Sequence, residues 1–314
     1  MQMVREFLAR IIWALVHISV PGVVVGFLAT SWWVFESYSG FRIQFAWAIG
    51  MGMVLAFRQK RRSAVGVLLL AFIANGVYLL PYVVPAVPAS RTAVSLKLST
   101  INVHTANQRY DLVRAAIALH EPDIALFTEV NDVWLDELKP LANLYPYSVS
   151  RPRADNFGVV LFSKIPPQKL DIIDFLAQDL PSVEMVFTIG SRTLTLIGTH
   201  PLPPRTHEYS GWRNAQLELM GRHMAAIKGS KILMGDMNTV PWSPYFEKLL
   251  LDAGLKDSGQ GWGVSPTWPA HAWWLLGIPI DHILVSPDLG VVARTIGPWV
   301  GSDHYPVVVE LGLP

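Results

Sequence analysis

The spacing of apolar positions divides the chain into two parts. Long unbroken apolar stretches fill the first 84 or so residues, and short alternating runs separated by turns fill the rest. The first stretch, about Ile11 to Thr30, is long enough to cross a bilayer core as a helix. The second, Ile43 to Phe57, is marginal: it reaches about 17 residues only when Phe41 and a snorkelling Arg42 are counted. The third, Ala64 to Val84, carries no charge and is long enough to span. A cleaved signal peptide is a poor account of the first stretch. Its apolar run exceeds the roughly 7–15 residues of a signal-peptide core, and two more stretches follow.

Lysines and arginines orient such helices. Arg5 and Arg10 precede the first stretch, and Arg58, Lys60, Arg61 and Arg62 separate the second from the third. Three crossings that begin inside place both basic groups in the cytoplasm. The loop Glu36 to Gly40 and everything after Val84 then lie outside. If the short second stretch did not cross, the basic groups would fall on opposite sides. Trp32 and Trp33 stand where an interfacial belt is expected. His17 and Asn75, polar groups within spans, are read as helix–helix hydrogen-bonding residues. Pro81 to Ser90 is proline-rich and reads as a stiff extended linker.

Beyond the linker the period changes. Val94–His104, Asp123–Val130, Phe157–Ser163, Ser182–Gly190, Arg192–His200, Lys231–Asn238, Ile280–Ser286 and Tyr305–Leu313 read as strands. Asp111–Asp123 has helical spacing, with Leu112, Ala115, Ala116 and Leu119 expected on one face, and Arg213–Ile227 reads as a second helix. Strands that outnumber helices and follow one another directly predict an α/β fold, a layered sandwich of mixed sheets rather than a doubly wound parallel sheet. Residues 1–90 are thus expected to be a membrane anchor with linker, and residues 91–314 a catalytic domain.

Composition sharpens the division. Charged residues make up 16% of the chain, well below the roughly 25% of soluble domains. Seven bases and two acids lie before Arg91, which leaves 18 of the 25 basic and 22 of the 24 acidic residues for the rest. The C-terminal part therefore carries about −4 and has ordinary globular composition. The absence of cysteine excludes disulfides, zinc–thiolate sites and a cysteine nucleophile. No Gly-rich dinucleotide or Walker motif is present.

Polar residues recur at the ends of the apolar runs: Asn102, Glu129, His200, Asp236 with Asn238, and Asp303 with His304. Taken singly, each is an ordinary turn residue, salt-bridge partner or loop histidine. Together they repeat one position, the rim of a buried sheet. In order, "INVHTAN", "LFTEV", "NFGVVLFS", "GTHPLP", "GDMN", "IDHILV" and "GSDHYP" resemble the motifs of the endonuclease/exonuclease/phosphatase superfamily, over about Leu96 to Leu311.

That resemblance implies a four-layered α/β sandwich (DNase I-like), here preceded by three transmembrane helices. It also implies a divalent metal, magnesium with manganese as the alternative, and hydrolysis of phosphate esters. By similarity, Glu129 is the metal carboxylate, with Asn102 beside it and Asp303 completing or flanking the site. Asp236 orients or deprotonates the attacking water, and Asn238 donates to a phosphate oxygen. His304, with Asp281 on its other ring nitrogen, contacts phosphate or acts as base, and His200 protonates the leaving oxygen or stabilises the transition state. Asn156 is an extra phosphate donor. Arg213 is read equally as brace or substrate contact, and Thr267 is placed beneath the site. His282, on the other face of its strand, is structural. His104, His207, His223 and His271 are given no role.

The mildly acidic charge speaks against long nucleic acids, which reward clustered Lys and Arg. Trp273, Trp274, Leu275 and Leu276 form a bulky apolar run just before Asp281, either packed on the sandwich or dipping into lipid. The layout is similar to that of the teicoplanin-resistance type of membrane phosphatase, a subset associated with undecaprenyl pyrophosphate. The leading expectation is therefore a magnesium-dependent phosphoesterase of the bacterial inner membrane, its catalytic domain periplasmic and its substrate a lipid-linked phosphate. The alternatives are a membrane-tethered nuclease and a phospholipid-binding module without catalysis. Oligomeric state is not legible.

Overall fold

A computed structural model describes residues 2–90 and 94–313. The expected boundary between anchor and domain borders residues 91–93, which lie outside the described residues. Three long helices fill the N-terminal part: α1 (Gln2–Phe27), α3 (Arg42–Arg58) and α4 (Arg62–Val83). Between the first two lies the short α2 (Trp33–Ser39). α1 and α4 are each long and apolar enough to cross a membrane, and the α2–α3 pair, bent by 60°, makes a third candidate if the pair is one broken span. Their outward faces are apolar, with Phe7, Leu15, Val54, Phe57, Leu70 and Val77 exposed. Glycines let the helices approach closely: a Cβ on Gly22 would run into the Phe45 ring, and one on Gly52 into Val16.

Four expectations change here. Glu36 to Gly40 is not an open loop; most of it is the last turn of α2. Arg42 does not snorkel but is buried, 3.8 Å from the Tyr78 ring centre, with Asn75 donating to its carbonyl at 2.7 Å. Asn75 thus joins two helices as expected, whereas His17 bonds the Trp13 carbonyl of its own helix at 2.6 Å. Pro81 lies inside α4, which continues to Val83. The chain after Val83 is tied to the sandwich by backbone hydrogen bonds. Ala86 N–H donates to Gly261 and Ala89 N–H to Val291, while Gly261 and Gly263 N–H groups donate to Pro81 and Tyr82.

The remainder is a sandwich of two six-stranded sheets. The first contains β1 (Ser95–Asn102), β2 (Ile124–Thr128), β3 (Tyr147–Arg151), β4 (Val159–Ser163), β11 (Gly290–Ile296) and β12 (Val307–Gly312), in the order β11-β12-β1-β2-β4-β3. The second contains β5 (Pro167–Asp174), β6 (Pro181–Ile189), β7 (Arg192–Thr199), β8 (Ser230–Asp236), β9 (Lys256–Asp257) and β10 (Asp281–Val285), in the order β5-β6-β7-β8-β10-β9. Both sheets are mixed: β1 runs parallel to β2 and β7 parallel to β8, and the other pairs are antiparallel. Leu98, Leu126, Leu161, Leu196, Met234 and Val309 meet between the sheets. Helices α5 (Tyr110–His120) and α6 (Asp132–Leu138) cover the first sheet, and α7 (His207–Ala226) and α8 (Pro244–Ala253) the second. The four-layered α/β sandwich is therefore present.

The eight expected strands all form. Strands β3, β5, β9 and β11, and helices α6 and α8, are additions. The buried face of α5 is Val113, Ala116 and Ile117; Ala115 and Leu119, expected inside, are exposed. α7 starts six residues earlier than expected because Thr206 caps it, its hydroxyl oxygen accepting from Tyr209 N at 3.1 Å.

Candidate active site

Parallel pairing sets the two inner strand ends side by side. β1 ends at Asn102 next to β2, and β8 ends at Asp236 opposite Asp281 of β10. The central strands of the two sheets thereby deliver an amide and two carboxylates to one rim. The loop before β12 adds His304. Its N–H donates to Ser302 Oγ at 3.0 Å, and Ser302 Oγ–H donates to the Asn102 carbonyl at 2.7 Å. Thr267 lies beneath, as expected, its Oγ1 accepting from the N–H groups of Ile280 and Asp281 at 3.1 and 3.2 Å.

Asn102 is the hub. Its Nδ2 donates to Glu129 Oε1 and to Asp236 Oδ2, both at 3.0 Å, while its Oδ1 accepts from His104 N at 2.9 Å. In this orientation it bridges two carboxylates rather than offering an oxygen to a cation. Asp236 Oδ2 also lies 3.3 Å from His200 Nε2 and 3.7 Å from His304 Nε2. His304 Nδ1 pairs with Asp281 Oδ2 at 2.9 Å. Asn238 N–H donates to Asp236 Oδ1, and Asn238 Nδ2 donates to the Pro201 carbonyl, both at 2.9 Å.

Four non-glycine residues around this rim take left-handed backbone: His104 (φ 58°), Glu129 (61°), Asn156 (70°) and Asn238 (48°). Such conformations are costly and gather where side chains must point at a site.

The electrostatics follow from burial and proximity. Burial disfavours a charged His304, yet Asp281 and Asp236 outweigh it and hold the imidazole up at about 10. His200 is likewise raised against its burial, by Asp236. Burial opposes an ionised Asp236, but His304 and His200 overcome it and keep that carboxyl far below its usual range. Asp281 is pushed up, chiefly by burial. The site thus holds two buried imidazoles, both biased toward the charged form, around one firmly ionised carboxylate.

These groups open into a cavity of about 490 Å³. Glu129, His200, Asp236, Asn238, Asp303 and His304 line it together with Asn156, Arg205 and Arg213. A family model described as the endonuclease/exonuclease/phosphatase family matches residues 99–304. The chain belongs to the endonuclease/exonuclease/phosphatase family. Solved structures agree on the fold. Humanized TDP2 from D. rerio superposes with a TM-score of 0.58 at 19% identity, covering 69% of this chain and 99% of that one. An endonuclease/exonuclease/phosphatase from Bacteroides vulgatus gives 0.58 at 18% identity, covering 70% and 100%. Staphylococcus aureus beta toxin gives 0.52 at 19%, covering 68% and 99%. A comparison with curated proteins found no match. Family membership makes the chain a hydrolase of the phosphoesterase and nuclease class, whose members depend on a divalent metal.

The residues present fit such a metal. Asp236, Asp281 and His304 place ligand atoms within 4.8 Å of one another. His304 Nδ1 is already engaged by Asp281, however, so this trio is better described as a carboxylate–histidine pair beside a third acid. Glu129 and Asp303 are only partly buried, and Asp303 Oδ1 is a shielded oxygen with no hydrogen-bond partner. Carboxylate oxygens without thiolate suit a hard cation.

Several site-associated residues carry no signal of their own in the sequence. His104 Nδ1 lies 3.6 Å from Asp303 Oδ1, and Trp268 Nε1 donates to Asp303 Oδ2 at 3.0 Å. Phe157 packs against His200, ring centres 5.5 Å apart. Thr105 N–H donates to Glu129 Oε2 at 3.3 Å. Adjacency to an assigned motif is the only pointer to His104 and Phe157. His282 is structural, bonding the Thr239 carbonyl at 2.9 Å from the far side of β10. His223 pairs with Glu184 at 2.9 Å, away from the cavity. Arg213 lines the cavity and also braces its wall: it bonds the Asn238 carbonyl at 2.8 Å and pairs with Glu36 of α2. Trp273, Trp274 and Leu276 are exposed, while Leu275 packs inward near Ile43 and Tyr78.

Proposed function

We propose that the chain is a membrane-anchored, magnesium-dependent phosphoesterase that cleaves a lipid-linked phosphate ester or pyrophosphate at the extracytoplasmic face. One observation carries this reading. The cavity that holds Glu129, His200, Asp236 and His304 is walled on its other side by Glu36, Ser37, Ser39, Gly40 and Phe41, at the bend between α2 and α3. Phe41, Val240 and Ile278 make that side apolar. A phosphorylated headgroup rising from the bilayer beside the bend would meet the rim directly, whereas a duplex would have to displace the anchor. The charge of about −4 beyond the linker also disfavours long nucleic acid.

The orientation has its own support. Gln44 and Tyr82 contact the sandwich from one end of the helices, while Arg5, Arg10, Arg58, Lys60, Arg61 and Arg62 sit at or beyond the other end. With positive charge inside, the sandwich lies outside.

Magnesium, when bound, would neutralise charge developing on the phosphoryl oxygens. Glu129 and Asp303 would hold it, with Asn102 fixing Glu129. Asp236, too acidic to be an efficient base, orients the attacking water. Asn238 spends one amide hydrogen on Pro201 and has a second for a phosphate oxygen. His304, kept charged by Asp281, contacts the phosphate instead of removing a proton. His200 supplies the proton to the leaving oxygen. Asn156, at the cavity mouth, donates to the remaining phosphate oxygens.

Full-length protein with magnesium, assayed against undecaprenyl pyrophosphate, a phospholipid panel and plasmid DNA, tests the proposal. Hydrolysis of a lipid-linked phosphate with intact DNA is expected. Cleavage of DNA alone would establish the nuclease reading, and hydrolysis of none would favour a binding module. A reporter enzyme fused after Val87 should be active only outside the cytoplasm; activity only inside would overturn the orientation.

A further inference from the structure

The anchor enters the sandwich as well as tethering it. Glu36 of α2 is buried, and its two carboxylate oxygens have different partners. Oε1 accepts from Ser243 Oγ at 2.6 Å, and Oε2 pairs with the Arg213 guanidinium. Arg213 is 1% exposed and Ser243 fully buried. Arg213 then donates from Nη1 to the carbonyl of Asn238 at 2.8 Å. Asn238 is the junction of the rim: its N–H holds Asp236 and its side chain holds Pro201, the residue after His200.

From this chain of contacts we infer that Glu36 is a positioning residue, acting through Arg213 to hold Asn238, and with it Asp236 and His200, in working geometry. The physical need is local. Asn238 sits at φ 48°, in the left-handed region, which asparagine tolerates better than most residues but which its surroundings must still hold. A guanidinium on its carbonyl supplies that hold. The guanidinium is itself buried, so it requires a counter-charge. Among the described residues the pairing acid is Glu36, 177 positions away in sequence and on the anchor. The catalytic rim therefore depends on α2 being docked. The inference rests on the assignment of Asp236, Asn238 and His200 to the site, and not on the substrate being a lipid.

Full-length protein with magnesium is assayed on a soluble chromogenic phosphodiester and on a lipid pyrophosphate. The variants are Glu36→Gln, Arg213→Gln, the double variant and Arg213→Lys, with Arg222→Gln on the exposed face of α7 as control. Glu36→Gln should lower kcat about 10–100-fold on whichever substrate the wild type cleaves, with KM changed less than about threefold. The double variant should be no slower than Arg213→Gln alone, because the two act in series. Arg213→Lys should melt closer to wild type than Arg213→Gln yet stay slow, since an ammonium cannot fork between Glu36 and the Asn238 carbonyl. Should Glu36→Gln fail to fold, Ser243→Ala removes one contact of the same carboxylate and should still lower kcat. A folded Glu36→Gln, or in its place Ser243→Ala, with kcat within twofold of wild type would overturn the inference. So would additive losses in the double variant, or losses that vanish when each variant is assayed far below its melting midpoint. A wild type that cleaves only the soluble ester would sink the lipid reading and leave this test intact.

Discussion

His304 Nδ1 lies 2.9 Å from Asp281 Oδ2, although Asp281 is in the second sheet and His304 in the loop that leads into a strand of the first. Asp281 opens β10 of the second sheet, and His304 precedes β12 of the first. Their hydrogen bond closes the rim of the sandwich directly behind the cavity. Replacing Asp281 by Asn keeps the shape and removes the charge that keeps His304 protonated. Asp281→Asn and His304→Ala should each lower kcat by about 10²–10⁴-fold. The double variant should be little worse than the poorer single one. Steady-state kinetics on the three proteins, with melting curves to show that they fold, decide this.

The same pair sets a pH dependence of stability in chelator-treated protein. His304 is raised from 6.5 to about 10 in the folded state, so the fold binds its proton more tightly than the unfolded chain does. That stabilisation is complete below about pH 6.5 and is lost as pH rises through about 10. The melting midpoint of the wild type should therefore fall more steeply between pH 7 and 10 than that of His304→Gln. Parallel curves would show that the proton is not held there.

Gly235 shapes the strand end that carries Asp236. Its φ is 144°, and a Cβ there would collide with the Thr199 carbonyl oxygen on β7. Backbone cannot yield as a flexible side chain does. Gly235→Ala should cost at least about 3 kcal/mol and lower activity as well, because Asp236 is the next residue. Chemical denaturation checks the first expectation, and kcat measured well below the melting midpoint checks the second.

Metal removal should abolish turnover, and magnesium should restore it. Glu129→Gln should need a higher magnesium concentration for half-maximal activity, since a neutral amide holds a hard cation more weakly. A titration of activity against magnesium that superposes on wild type would remove Glu129 from the metal site.

The apolar loop before Asp281 lets the proposed lipid substrate be tested apart from the chemistry. Gln44 of α3 donates to the Leu275 carbonyl at 2.8 Å, which fixes the loop, while Trp273, Trp274 and Leu276 remain exposed. Changing Trp273, Trp274 and Leu276 together to Ser should raise KM for a lipid phosphate in vesicles about tenfold or more and leave a soluble ester unaffected. Equal effects on both substrates would assign the loop to the fold alone.

Much of this protein is written in local pattern. The inner strands β1, β2 and β8 are largely buried and run into a polar residue at their C-terminal ends. That stop marks the rim, and Asn102, Glu129 and Asp236 are legible because of it, while His304 is read from the Asp-His pair ahead of β12. Edge strands lack the signal: β3 and β5 are only partly buried and carry polar residues throughout. The face of α5 departs from its apolar pattern for a related reason. Leu119 has the right chemistry for the core, but the helix turns it to solvent.

By itself, the sequence determined the order of the elements, the apolar helices and the identity of the reactive groups, because these depend on residues a few positions apart. Tertiary structure alone decided that α2 forms a wall of the cavity, that Arg42 is buried, and that Glu36 neutralises Arg213. Those pairings join residues tens to nearly two hundred positions apart. A buried charge specifies only that some opposite charge must reach it; which one does so is settled by how the layers pack.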